Sequence, residues 1–496
     1  MSKTIVLLLV FILMASSVIT FLPVNAKSRT IVVPDDYPTI ASAIDNATQG
    51  DTIFVRKGTY EESSLVINKT LILIGENTPD TIIKNTDQHA LVDWLGNGLL
   101  PIGDTIAVQI NADNAKISGF TIIKATVGIK SLCSGAQIAG NIIKELDSID
   151  GLVSTTGIIV EGKDSQVIGN SVEEANNGIV GNGSNQIIAQ NKIESAGYSI
   201  KSSGQSNTII NNIILGKENS ASGITLNGLS NLVCNNTVTG QIEGIAISGI
   251  GNIVFGNNIS YNSAAGINIQ PHWDKSSEYK GDNIICKNWI TNNREGINLN
   301  SGQNNTIYAN YISVNQIGVS IIWDQTGAAF LGGKLYFEPD RNLWQTAYNN
   351  TVHLNNFVDN GQGAADWNWQ GINMWDNGME GNFWSDYAGT DTNQNGIGDT
   401  AYSVNKPYTI NYSLGGDNSR LYDPRIVNTN EVLDHYPLMS PFDIDSVNIE
   451  VPEIKTPTFE LSQPEPFPLA LLAAGSSASV LAVGACLIVY FKKYRH

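Results

Sequence analysis

Apolar and polar positions alternate in short bursts along most of this chain. Runs such as Thr306-Ile307-Tyr308 and Gly296-Ile297-Asn298-Leu299 place Ile or Leu at every second residue, the period of a half-buried strand. Gly and Asn interrupt each run before it reaches helical length. The bursts follow a phrase made of Asn, a variable residue and then Ile or Val. It is read at Asn141-Ile142-Ile143, Asn191-Lys192-Ile193, Asn212-Ile213-Ile214, Asn236-Thr237-Val238, Asn258-Ile259-Ser260, Asn288-Trp289-Ile290, Asn310-Tyr311-Ile312, Asn356-Phe357-Val358 and Asn382-Phe383-Trp384. A second phrase, Gly followed by a β-branched residue, is interleaved with it at Gly157-Ile158, Gly178-Ile179, Gly223-Ile224, Gly244-Ile245, Gly266-Ile267, Gly296-Ile297 and Gly318-Val319. Where no insertion intervenes, each phrase returns after about 21 or 22 residues, within the range of solenoids. Units this short bury their apolar face only by coiling, each strand stacking on its equivalent in the next turn. The pattern predicts an all-β fold, a right-handed parallel β-helix. A propeller needs about twice the period and antiparallel blades. The recurring Asn has two readings, an amide that hydrogen-bonds from turn to turn or a residue that tolerates left-handed backbone.

The body opens differently. Ile40, Ala43, Ile44 and Ala47 have helical spacing, and Pro38 suits a first helical position. A short capping helix here covers the open first turn. Strands follow at Thr52-Ile53-Phe54-Val55, after Gly58-Thr59-Tyr60-Glu61 and at Leu71-Ile72-Leu73-Ile74.

The formal net charge is -18, which argues against a nucleic-acid partner because phosphate binding needs clustered Lys and Arg. Residues 1–26 read as a signal peptide, with Lys3, an apolar stretch from Ile5 to Ile19 and Val24-Asn25-Ala26 as cleavage site. An uncleaved membrane anchor is the other reading. Residues 30–445 are the predicted β-helix domain: cap and first rungs at 30–110, a long insertion loop at 324–349 and a C-terminal end at 380–445. A Pro-rich acidic stalk follows at 446–468, then an apolar segment at 469–491, long enough for a transmembrane helix, and a basic tail at 492–496. These ends place the body on the outer face of the cell membrane, with the C-terminus cytoplasmic. Cys234 and Cys286 share a column but are two strand spacings apart, about 9.6 Å, too far for a disulfide. Cys133 falls elsewhere in its rung, and Cys486 lies in the apolar segment.

Thr39 through Asp51-Thr52-Ile53 and Gly58-Thr59-Tyr60 resemble the start of pectin-lyase-like right-handed β-helices. Ile117-Ser118-Gly119-Phe120-Thr121-Ile122 is similar to their first full repeat. Trp375-Asp376-Asn377-Gly378, Gly381-Asn382-Phe383-Trp384-Ser385-Asp386-Tyr387 and Asp434-His435-Tyr436-Pro437-Leu438-Met439 resemble the end of the NosD-type β-helix domain, common in archaeal cell-surface proteins. The resemblance implies the fold. For activity it implies only a superfamily of lyases, hydrolases, epimerases and proteins of unknown role.

Three sets of residues can carry chemistry. Asp391, Asn393, Asn395, Ile397 through its carbonyl, and Asp399 follow the ligand order of calcium loops, with Gly396 at the sharp turn. Tyr402 stands where the usual bidentate Glu would be, so Asp386 or another residue must complete a structural Ca2+ site; the alternative is a plain Asn/Asp/Gly turn. Bulky loops at Pro271-His272-Trp273-Asp274, at Trp323-Asp324 with the insertion beyond, and at Trp375-Asp376 gather aromatic rings and acids on one flank. Trp273, Trp323, Trp344 and Trp375 are candidate glycan-stacking residues, or rings that pack loops onto the wall. Asp274, Asp324, Arg341 and Asp376 are the catalytic candidates for an enzyme, since polysaccharide hydrolysis needs paired carboxylates and a lyase needs a base. Arg294-Glu295 reads as a solvated pair at a turn. The 5 His are scattered, so no copper or zinc site is evident. Sequons occur at Asn46, Asn68, Asn182, Asn258, Asn304, Asn349 and Asn411, and a sequon Asn held in a turn stack could not carry a glycan. The sequence leaves open a surface-anchored binder of glycan or envelope polysaccharide, an enzyme acting on acidic polysaccharide, and a purely structural envelope protein. Oligomeric state is not readable.

Overall fold

The computed structural model describes residues 28–87, 90–93, 99–147, 154–217, 220–270, 281–300, 302–322, 328–331, 334–337, 347–366, 372–405 and 431–454. The chain divides into a unit spanning Ile31–Phe459 and a second one combining Met1–Thr30 with Glu460–His496; of the second, only residues 28–30 are described. The predicted signal segment, apolar segment and basic tail therefore lie outside the described residues, as do 455–468 of the predicted stalk. Among the described residues, no helix is long and apolar enough to cross a membrane.

One turn of the coil is represented by Ile284–Cys286, Trp289–Thr291 and Glu295–Asn300. These belong to three parallel series, here called sheets A, B and C. Sheet A is 13-stranded, beginning at Thr30–Val33 and including Thr351–His353. Sheets B and C join into one 23-stranded network, because Ser171–Gly181 and Lys192–Gln205 pass from one to the other without a break. Successive turns pair in parallel and in register, as Ile285 opposite Ile307, Ile290 opposite Ile312 and Ile297 opposite Val319. The predicted parallel β-helix is thus present. Its core is a set of Ile and Val columns, such as Ile188, Ile209, Val233, Val254, Ile285 and Ile307, each at most 1% exposed.

The corner between sheets A and B settles the role of the Asn. From Asn141 through Asn170, Asn191, Asn212, Asn236, Asn257, Asn288, Asn310 and Asn355 to Asn382, each backbone N–H donates to the side-chain oxygen of the next. The left-handed residue is the one before, for example Asn211 at φ 57°, Lys287 at φ 56° and Leu354 at φ 57°. The Asn is kept for its amide and not for its backbone. At two turns the ladder member is the residue before the predicted one: Asn257 and Asn355 are buried in the ladder, not Asn258 and Asn356. Asn258 is exposed, so that sequon is reachable. A second ladder precedes sheet A, from Asn207 through Asn231, Asn252, Asn283, Asn305 and Asn350 to Asn373. A third lies between sheets B and C, through Asn262, Asn293, Asn315 and Asn360.

The Gly of the second phrase sits at the inner corner entering sheet C. A methyl added to Gly266 would lie 2.7 Å from the Gly296 carbonyl oxygen and 2.8 Å from Ile290 Cγ2. Gly266→Ala should therefore lower stability by about 1–3 kcal/mol, read as a lower urea midpoint at unchanged slope.

The lid forms at Ile40–Asn46, with Ile40, Ala43 and Ile44 buried. Thr39, not Pro38, starts it, as the N-cap of a capping box with Ser42. The first turn of the coil holds both ends of this helix. Buried Glu62 accepts the Ile40 N–H at 2.6 Å, and the Lys69 ammonium donates to the carbonyls of Ile44, Asp45 and Ala47. Acid at the N-terminus and base at the C-terminus both complement the helix dipole. Burial raises the Glu62 carboxyl above its ordinary value despite the N–H donors of Ile40 and Ala41. Glu62→Ala should cost about 1–3 kcal/mol by orphaning those donors, seen as early loss of amide-exchange protection in residues 40–55.

The other end is closed by rings. Trp384 lies opposite Phe357 in the last pairing of sheet B. Its ring stacks between Phe357 at 4.2 Å and Tyr402 at 4.2 Å, with Trp375 at 6.1 Å. Beyond this plug the chain returns along the outside of sheet A. Ile449 and Ile454 pack against an outer apolar column that includes Ile210, Cys234, Phe255 and Cys286, and the Lys287 ammonium donates to the Val447 carbonyl. Phe255 separates the two cysteines, as the spacing requires. Cys133, Cys234 and Cys286 are free thiols, and burial pushes the Cys286 thiol up to about 11.

Candidate functional site

Of the predicted loop residues, Trp273, Asp274, Trp323, Asp324, Arg341 and Trp344 lie outside the described residues. Trp375 is described and is not on an open flank: it is 1% exposed within the C-terminal plug. Asn373-Met374-Trp375 is one more copy of the repeat phrase, with Met374 bridged to Thr351, which aims Trp375 inward beyond Val352. Asp376 is occupied structurally. Its Oδ2 accepts the His435 backbone N–H at 3.1 Å and lies 3.0 Å from His435 Nδ1, while Oδ1 accepts from the Gly378 N–H.

The loop at 391–399 is a turn held by its own side chains. Asp391 accepts the N–H groups of Asn395 and Gly396, Asn393 that of Asn395, and Asn395 that of Ile397. Asp399 Oδ2 accepts from both Thr390 and Thr392 hydroxyls, and these bonds hold its carboxyl below the usual range. Asp386, the proposed replacement ligand, instead accepts the Tyr402 hydroxyl at 2.9 Å.

The structure brings together a different set, on the outer face of sheet C. Two consecutive residues, Gly and Ile, face inward at the start of each of these strands, so the residue before Gly and the residue after Ile both face outward. In adjacent turns the outward residues after Ile are Thr225, Ala246, Asn268, Asn298, Ser320 and Ala365. The residues before Gly include Ser222, Glu243, Ala265, Glu295, Ile317 and Gln362. Asn268 is 7% exposed and Ser320 0%, whereas Thr225, Glu243, Glu295 and Asn298 are half-buried. Glu243 accepts from Asn268 Nδ2 at 2.6 Å, from Ser222 Oγ at 3.3 Å and from Gln270 Nε2 at 3.5 Å. Glu295 accepts from Asn298 Nδ2 at 2.6 Å. Glu295 is no solvated turn residue: burial raises its carboxyl above the ordinary range, only partly offset by Arg294 and Asn298. Thr225 Oγ1, Asn268 Oδ1, Asn298 Oδ1 and Ser320 Oγ are buried without a hydrogen-bond partner. Of the 10 such atoms among the described residues, these 4 lie in one column, interrupted once by Ala246.

A separate feature lies on sheet B. Trp289, 48% exposed, meets Tyr311 of the next turn with ring centroids 4.5 Å apart. Both follow a ladder Asn, a position that always faces outward. That positional rule would have found them, and the doubled inward step at Gly-Ile would have found Glu243, Glu295 and the Asn pair.

The sequence model of the family described as periplasmic copper-binding protein (NosD) matches residues 134–334 and 252–389. The chain belongs to the NosD family. Comparison with curated proteins gives no match. Among solved structures, a PL6 alginate lyase in complex with a trisaccharide is similar to this NosD-family chain at 15% identity and TM-score 0.46, covering 64% of this chain and 76% of that one. The periplasmic alginate epimerase AlgG matches at 13% identity and TM-score 0.43, over 70% and 82% of the respective chains. The Dettilon tailspike protein matches at 15% identity and TM-score 0.44, over 72% of this chain and 66% of the tailspike. At these identities the likeness concerns the β-helix fold alone.

The family description names copper, but the described residues of this NosD-family chain do not fit it. Among them no group of three or more His, Cys, Asp and Glu could hold a metal ion. His353 is stacked on Tyr308, and His435 is paired with Asp376. The cysteines are separate and two of them buried.

Proposed function

We propose that this NosD-family chain binds a hydroxyl-rich glycan along the outer face of sheet C, between Thr225 and Ser320. The single supporting observation is the column of unpaired hydrogen-bonding atoms at Thr225, Asn268, Asn298 and Ser320. Asn268, Asn298 and Ser320 lie in successive turns, about 4.8 Å apart along the coil axis, with Thr225 two turns before Asn268, spacings that can address units of an extended polymer. A buried polar atom without a partner costs about 1–3 kcal/mol; with Asn268 7% and Ser320 0% exposed, binding here requires this face to be uncovered, after which sugar hydroxyls, each donor and acceptor, can satisfy amide oxygens and hydroxyls alike. Glu243 and Glu295 sit within this column's reach, so a neutral glycan suits the site better than a uronate, whose charge they repel. Trp289 and Tyr311, on the adjoining wall, add exposed ring surface of the kind that packs on apolar sugar faces.

The test is affinity electrophoresis and calorimetry with dextran, xylan, glucomannan and galactan, and with alginate and polygalacturonate as acidic counterparts. Wild type should bind at least one neutral polymer. The Asn268→Ala, Asn298→Ala double variant should lose about tenfold or more in affinity, since each lost bond to a buried polar group is worth about 1 kcal/mol. Binding unchanged in the double variant, or confined to the acidic polymers, would refute the assignment.

A further inference from the structure

We propose that Asn258, on the outer face of sheet B, is a glycan attachment site whose first sugar packs on the free face of Trp289. The basis is the placement of one sequon. Among the described residues, Asn258-Ile259-Ser260 is the sequon whose Asn lies within a strand. The period of two turns Asn258 and Ser260 outward together, while Ile259 between them is 0% exposed in the core. The amide and the hydroxyl that define a sequon therefore stand on one surface. Asn258 is exposed, and among the described residues its side-chain amide has no hydrogen-bond partner. Two other sequons have theirs engaged: Asn46 Nδ2 donates to the Ser42 carbonyl at 2.9 Å, and Asn349 Nδ2 donates to Asn304 Oδ1.

The second observation is the ring beside it. Asn258 lies opposite Trp289, and Trp289 opposite Tyr311. The two rings, with centroids 4.5 Å apart and planes at 33°, meet face to face at close to the strand spacing of about 4.8 Å. The other face of Trp289 is thus turned towards the preceding turn, where Asn258 stands. An amide is too short to cover an indole, and Trp289 stays 48% exposed. A pyranose linked to Asn258 Nδ2 fills that place and continues the column of Tyr311 and Trp289 by one step. The apolar face of a neutral pyranose suits the ring. Two residues further along the same strands, Thr239, Ser260 and Thr291 form the adjoining outward column, and their hydroxyls suit those of the sugar. This site is independent of the sheet C column, and without its sugar the free Trp289 face stays open to a polymer.

The attachment needs one co-reactant, a sugar carried on a lipid diphosphate. The Asn258 amide nitrogen forms a bond to the anomeric carbon of that sugar. The bond from this carbon to the phosphate oxygen breaks with its electron pair on the departing lipid diphosphate. The nitrogen gives up one proton to a base of the transferring enzyme, and nothing is oxidised or reduced. Donor and enzyme meet the chain at the membrane during export, the route expected from residues 1–26.

The test is to export the full chain, with its own leader, from a host that glycosylates Asn-x-Ser/Thr sequons. Mass spectrometry of the peptide containing Asn258 should show an attached glycan. Ser260→Ala, which keeps the Asn, should abolish that added mass. With isotope-labelled sugar, NMR should show protons of the first unit shifted upfield by the indole. Trp289→Leu keeps an apolar outward side chain, and its urea midpoint verifies folding. It should leave occupancy unchanged and remove the upfield shift. Release of the glycan by a glycoamidase should be about threefold or more slower from wild type than from Trp289→Leu, a factor within the range of one aromatic contact. A bare Asn258, with or without glycans on the other sequons, would overturn the assignment. A glycan on Asn258 that shows no upfield shift and is released equally fast from both proteins would overturn its packing on Trp289. Polymer binding by the sheet C column is measured on chain made without glycan, so neither failure bears on that reading.

Discussion

Asn288→Leu should destabilise the coil by about 4 kcal/mol or more and shift the urea unfolding midpoint accordingly. The Asn288 side chain donates at 2.9 Å to the Val254 carbonyl, the Cys286 carbonyl and Asn310 Oδ1. Its own oxygen accepts the Asn257 N–H at 3.0 Å and Asn257 Nδ2 at 2.9 Å. Leucine has nearly the same volume and none of these bonds. The residue is 0% exposed, so water does not replace what is lost. Each orphaned buried group costs about 1–3 kcal/mol, and several are orphaned at once. Asn258→Leu, the adjoining exposed residue, is the control and should change stability by no more than about 0.5 kcal/mol. If the two variants unfold at the same denaturant concentration, the hydrogen-bonded ladder does not hold the turns together.

Trp384→Ala should cost about 3–5 kcal/mol from lost burial and cavity alone. The ring is 1% exposed and its Nε1 donates to Asp434 Oδ2 at 2.8 Å. That carboxylate also accepts the Asn382 N–H at 2.7 Å and the Tyr436 N–H at 3.0 Å. Burial outweighs these donors and raises Asp434 to about 6. A carboxyl whose folded value lies above its unfolded value of about 3.9 binds its proton more tightly when folded. Its stabilising contribution is therefore full below about pH 4 and is lost as pH rises through about 6. The shift of about two units corresponds to roughly 3 kcal/mol. Stability of wild type relative to Asp434→Asn should fall by up to that amount between pH 4 and pH 7. Comparing the two proteins removes the background from the net charge of -18. A difference that rises with pH would show that the N–H donors prevail over burial.

The coil was readable because its repeat is local: a short phrase fixes one corner, and the corners fix the register. Adjacent Asn at Asn257-Asn258 and Asn355-Asn356 leave the phrase ambiguous, since either can start it; the spacing of 21 from Asn236 picks Asn257, whereas the insertion stretches the interval from Asn310 to Asn355 to 45. The lid was legible at Ile40, Ala43 and Ile44, while its start moved from Pro38 to Thr39 because a hydroxyl caps and a pyrrolidine cannot. Of the two uses open to Trp375, glycan stacking or packing, its position decides for packing: it follows Asn373, the end of a ladder, and is 1% exposed. The outward column of Glu243, Asn268, Glu295 and Asn298 was hidden by simple alternation. Gly296 and Ile297 both face inward, and that doubled step changes which neighbours face solvent.

The ladders have a direction. Each ladder Asn directs its backbone N–H to the side-chain oxygen of the next Asn towards the C-terminus, while its amide also donates back to a carbonyl of an earlier turn, as Asn288 does to Val254; the last N–H of a ladder needs another acceptor. At Asn382 that acceptor is Asp434, and the Asn373 amide donates to Asp366 Oδ2 at 3.1 Å. A carboxylate accepts and offers nothing onward. Asp366 is 2% and Asp434 0% exposed, so an amide in either place would carry further hydrogens into the buried plug, each needing an acceptor there. The acidic full stop closes each of these two ladders inside its own coil.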